Sequence, residues 1–125
     1  MTGVRSSRIR LLATILLGAL IVASGCRSYH IEITVENRTG ANIQLLEVDY
    51  PSASFGADSL AADTDFHYRI QVQGAGPLKV QYTAPGGVKS QVSGPTISER
   101  QKGHMEIVLL PGGKAEFHPA LTPGS

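Results

Sequence analysis

The sequence predicts an all-β fold, an antiparallel β-sandwich of about seven strands. Three observations predict it. Apolar and polar residues alternate with period two in several short runs. Turns rich in Gly and Pro separate these runs at roughly 8–12-residue spacing. Beyond the first 25 residues, no stretch has the apolar periodicity of a long helix.

Residues 1–25 come first and stand apart. Arg5, Arg8 and Arg10 precede an uncharged run, LLATILLGALIVA, over residues 11–23. A membrane-spanning helix needs about 20 apolar residues, so this run suits the apolar middle of a secretory signal. Ala23, Ser24 and Gly25 are small, and the chain's single cysteine, Cys26, follows them. Ala23-Ser24-Gly25-Cys26 resembles the lipobox of bacterial lipoproteins, although that family prefers leucine where Ala23 stands. The resemblance covers residues 1–26. It implies a type II signal peptide cleaved between Gly25 and Cys26, with acyl chains on Cys26. Arg27 stands where that family places aspartate for inner-membrane retention. The resemblance therefore implies the outer membrane, facing the periplasm.

Removing 25 of the 125 residues leaves 100, enough for one domain with its own core. Three of the eleven basic residues leave with the leader, so eight stand against ten acidic residues, a net charge of −2. There is no basic stripe, which argues against nucleic acid as a partner. One cysteine permits no internal disulfide, so packing must supply the stability.

Residues 26–29 form a short tether, and the sandwich is expected over residues 30–118. In residues 30–36, Ile31, Ile33 and Val35 alternate with Glu32, Thr34 and Glu36, which predicts a half-buried strand. Asn37-Arg38-Thr39-Gly40 reads as a turn, with Asn37 and Gly40 suited to left-handed angles. Residues 43–50 read as a second strand. Leu46, Val48 and Tyr50 share one face, whereas Ile43 and Leu45 fall out of phase, which suggests a bulge or two-sided burial. Residues 51–65 read as a long loop, with a brief helical turn or short strand near Leu60 and Phe55 beneath it.

Residues 66–73 alternate clearly, with Phe66, Tyr68, Ile70 and Val72 inward. Leu78, Val80 and Tyr82 repeat the pattern, and residues 88–92 give a shorter polar strand. Residues 93–103 read as a polar connection. Residues 105–110, MEIVLL, suggest a central strand covered on both faces. Residues 114–118 close the set, and residues 119–125 read as a disordered tail. Tight turns leave no room for crossovers, so pairing is expected to be antiparallel. The architecture resembles immunoglobulin-like or transthyretin-like sandwiches, without the core Trp and cysteine pair of antibody domains; a small open barrel is the alternative.

No catalytic constellation stands out, and no cofactor is implied. His30, His67, His104 and His118 lack the clustered spacing of zinc sites and read as surface residues. There is no Gly-x-Ser-x-Gly elbow. Asp58, Asp63 and Asp65 share the 51–65 loop and supply the oxygen ligands calcium takes, although aspartates also favour turns through bonds to their own backbone. The reading that follows is a lipid-anchored, non-catalytic envelope interaction module. It would meet the membrane through Cys26 and an envelope protein through the 51–65 loop, with Phe55 and Leu60 as contact residues. The alternatives are a calcium- or carbohydrate-binding module on that loop and, third, a hydrolase assembled from distant Ser, His and Asp residues.

Overall fold

The computed structural model describes residues 29–123. The leader, the Gly25/Cys26 junction and the last two residues lie outside the described residues. Eight strands follow in order: β1 (Ile31–Asn37), β2 (Ile43–Tyr50), β3 (Ala53–Leu60), β4 (Asp65–Ile70), β5 (Ala75–Ala84), β6 (Val88–Ser98), β7 (Gln101–Leu110) and β8 (Lys114–Pro123). They form two four-stranded sheets, ordered β4-β1-β7-β8 and β3-β2-β5-β6, with no helix among the described residues. The fold is the expected β-sandwich.

The core lies between the sheets because alternate residues of each strand point there. In β1, Ile31, Ile33, Val35 and Asn37 are buried, while the residues between them are half-exposed. Leu46, Val48, Leu78, Val80 and Tyr82 meet them from the second sheet, and Met105, Ile107 and Leu109 complete the first. Burial of these side chains contributes on the order of 1.5–3 kcal/mol each, offset by chain entropy.

Four expectations are corrected. Residues 51–65 are mostly strand: β3 pairs with β2 from Ile43↔Leu60 to Tyr50↔Ala53. This segment is poor in large apolar residues because β3 is an edge strand and buries only Phe55 and Leu60. Residues 93–103 are the rest of β6, a tight turn at 99–100 and the start of β7. Residues 119–123 are not a tail; Pro119 opposes Met105 and Pro123 opposes Gln101. Proline is tolerated there because β8 is an edge strand. Pairing is not wholly antiparallel either: β1 runs parallel to β7, from Ile31↔Gly103 to Asn37↔Leu109. The intervening strands carry the chain across to the second sheet and back, so no crossover helix is needed.

Two details of alternation also differ. β7 is central, but Glu106, Val108 and Leu110 on its outer face are only half-buried. Tyr68 is 46% exposed, because β4 is an edge strand and its ring caps the side of the sandwich. That ring stacks on Phe55 at a centroid distance of 4.6 Å.

Asn37 is the buried polar residue of the core. Its Nδ2 donates to the carbonyls of Ala41 (2.9 Å), Leu60 (3.0 Å) and Ala61 (3.2 Å). Its Oδ1 accepts from the Thr39 amide (3.1 Å) and hydroxyl (2.7 Å). One side chain thus ties the β1–β2 turn to the β3–β4 turn. Of the two residues suited to left-handed angles, Gly40 adopts one (φ +86°) and Asn37 remains in the strand.

Candidate functional site

The phase break in β2 is a bulge. Gln44 opposes Thr83 and Glu47 opposes Gln81, so the register of β2 against β5 shifts by one residue between them. Ile43 and Leu46 can then both point into the core, and Leu45 is displaced outward. Leu45 is 64% exposed and adopts φ +53°. A left-handed conformation costs a non-glycine residue about 1–2 kcal/mol, and a leucine in that region inside a strand marks local strain.

The neighbouring edge accommodates the bulge. A Cβ on Gly56 would sit 1.9 Å from the Leu46 carbonyl oxygen. Gly56, opposite Glu47, is therefore required by the path of β2. Leu45 stands as a ridge between two shallow depressions, of about 440 and 410 Å³. One is bordered by Glu47, Gln81, Lys89 and Gln91, the other by Ser54, Gly56 and Asp58. Gln81 Nε2 donates to Glu47 beside the ridge. Desolvation, then the charge and hydrogen bond of Glu47, raise the Asp49 carboxyl above its ordinary value. The result is an apolar knob within a polar rim, the general layout of a protein contact.

The outer face of the other sheet gathers ionisable groups. Thr34 opposes His67 on one side and Glu106 on the other, and Glu36 opposes Asp65. Together with His104 they border a depression of about 320 Å³. Thr34 Oγ1 lies 3.0 Å from His67 Nδ1. Desolvation, then the hydrogen bond and charge of Glu106 and the charge of Asp65, raise the Glu36 carboxyl above its ordinary value; Arg38 opposes the shift. Sequence reading missed this cluster because strands β4, β1 and β7 are distant in the chain.

The structure does not unite the other sequence candidates. Asp58 is on β3, Asp63 is in the β3–β4 turn with φ +59°, and Asp65 opens β4. Among the described residues, no three His, Cys, Asp or Glu side chains converge so as to hold a metal ion. Phe55 and Leu60 are each only 7% exposed and belong to the core, so they are corrected from contact residues to packing residues. The hydroxyl–imidazole contact found is Thr34–His67, on an open sheet face.

No protein-family model matches the chain, and no curated protein matches it. A solved structure, the NMR structure of a protein from Eubacterium rectale, is similar in fold, with a TM-score of 0.53 and 13% identity. The match covers 73% of this chain and 88% of that one. At that identity the likeness concerns the fold alone.

Proposed function

We propose that this protein is a lipid-anchored cell-envelope module that works by contact, facing the periplasm from the outer membrane. The anchor part of the reading rests on the lipobox-like Ala23-Ser24-Gly25-Cys26. The contact part rests on Leu45. A leucine held 64% exposed at φ +53° bears a conformational cost and hides little of itself from water. Covering it in a complex would repay part of that cost. The contact surface is accordingly the outer face of β3-β2-β5-β6 around Leu45, in place of Phe55 and Leu60.

The test places a photo-crosslinking residue at Gln91, on the rim of the Leu45 depression, and at Lys114 as a control, in intact cells. A discrete adduct from position 91 alone, lost when Leu45→Gly is added, is the expected result. Leu45→Gly should not lower the melting temperature, since glycine adopts positive φ without penalty. Equal adducts at both positions, or an adduct insensitive to Leu45→Gly, would refute the contact surface. The anchor is tested separately: Cys26→Ser should move the protein out of the membrane fraction.

A further inference from the structure

We infer that the sandwich stands end-on against the membrane, with the turns at residues 51–52, 71–74 and 99–100 meeting an anionic lipid surface. This rests on the lipid-anchor reading and adds an orientation and a lipid-contacting end to it.

Strand direction defines the two ends. β1 leaves the tether at Ile31 and ends at Asn37. Ile31 lies beside Ile70, the end of β4, and beside Gly103, near the start of β7, which in turn opposes Leu121 near the end of β8. Residues 71–74 join Ile70 to Ala75, and residues 99–100 join Ser98 to Gln101, so the second sheet shares this end. The Pro-Gly-Gly turns at 85–87 and 111–113 lie at the other end, with Arg38 and Asp63.

Length then excludes inversion. From Cys26 to Ile31 the chain spans at most about 18 Å when fully extended. β1 alone, from Ile31 to Asn37, is about 20 Å long, and residues 38–42 project beyond it. The tether cannot reach past the domain to place the Asn37 end on the bilayer.

Charge favours the same arrangement. Arg100 and Lys102 are exposed at the tether end, and neither has an ion-pair partner among the described residues. Arg27 adds a third cation within the tether. The acids at this end are outnumbered: Glu32 accepts from Arg69 Nε at 2.7 Å and Asp49 opposes Lys79, which leaves Glu99, bonded to the Gly74 amide at 2.7 Å and still charged, against Arg100 and Lys102. The far end holds five acids, Glu36, Asp58, Asp63, Asp65 and Glu116, against three cations, Arg38, Lys89 and Lys114. An anionic surface attracts the first end and repels the second, and each cation near it contributes about fivefold in affinity.

The test uses the full lipidated chain, purified from membranes and reconstituted into phosphatidylcholine vesicles with and without phosphatidylglycerol. Fluorophores are placed on single introduced cysteines at exposed positions, and the lipid headgroups carry a quencher. Gln73→Cys should be quenched most, His67→Cys and Gln91→Cys on the two sheet faces less, and Pro85→Cys and Lys114→Cys least. Phosphatidylglycerol should deepen quenching at position 73, and Arg100→Ser with Lys102→Ser should reduce that lipid dependence by about fivefold per cation. Uniform quenching, or strongest quenching on a sheet face or at positions 85 and 114, overturns the orientation. Equal quenching with and without phosphatidylglycerol overturns the anionic contact. Intact mass separates the two levels: a Cys26 without acyl chains overturns the anchor and the orientation together, whereas an acylated protein with the wrong pattern overturns the orientation alone.

Discussion

Replacing Asn37 with alanine should be among the most damaging single changes in the domain. The side chain is fully buried and occupies five hydrogen-bonding contacts across two turns. Alanine leaves the buried Leu60 carbonyl unsatisfied, at about 2 kcal/mol, and weakens four part-buried contacts by about 0.5 kcal/mol each. The loss is therefore about 4 kcal/mol. For a domain of this size each kcal/mol lowers Tm by about 4–8 °C, so the melting temperature should fall by at least about 15 °C. Thermal and urea unfolding followed by circular dichroism measure this. Asn37→Asp supplies a directional control: it retains an acceptor for Thr39 but turns an ionised oxygen toward three carbonyls. It should be at least as damaging as alanine at neutral pH and should recover as the solution is acidified. A loss below about 1 kcal/mol for alanine, the level of an ordinary substitution, would refute the role assigned to this residue.

The remaining predictions concern the other constrained positions. Gly56→Ala should cost about 2–3 kcal/mol through overpacking against the Leu46 carbonyl, read as a lower urea midpoint; an unchanged midpoint would show that β3 moves aside freely. Glu36→Gln should stabilise the domain at neutral pH. The Glu36 pKa is raised on folding, so its contribution is most favourable below the ordinary carboxyl value of 4.5 and is lost as pH rises through the folded value. The gain from glutamine should accordingly shrink toward acid, and a gain that grows there would contradict the sign. Millimolar calcium should leave Tm unchanged, because Asp58, Asp63 and Asp65 do not converge; a rise would mean that the β3–β4 turn rearranges around the ion.

Much of the sandwich was legible because its inner strands record burial in their alternation. Ile31, Ile33 and Val35, and likewise Leu78, Val80 and Tyr82, were assigned inward and are buried. The phase break between Ile43 and Leu46 is compatible with a bulge or with two-sided burial, and the register shift of β2 against β5 decides for the bulge. β3 was hidden because its sequence, ASFGADSL, has two large apolar residues and is held as a strand by its ladder to β2. The end of β8 was hidden because Pro119 and Pro123 read as breakers, and only its edge position makes them acceptable. The parallel pairing of β1 with β7 leaves no local signature in either strand. The same holds for the ionisable cluster of Glu36, His67, His104 and Glu106, which exists only once the β4-β1-β7 register is fixed. The exposure of Leu45 follows from the bulge, but its left-handed backbone is imposed by the ladders on both sides.

The junction of β1 with β7 sets the order in which this molecule can be completed. Its partners, from Ile31 and Gly103 onward, are 72 positions apart in the chain, and β7 fills an interior place in its sheet. A nascent chain that stops before β7 can assemble the hairpins of the other layer, yet it leaves the first strand with one open flank and its apolar row unroofed. Such contacts between remote residues slow folding. The domain should thus acquire its cooperativity late and abruptly, and fragments lacking the last two strands should be cleared by proteases instead of surviving as a smaller fold.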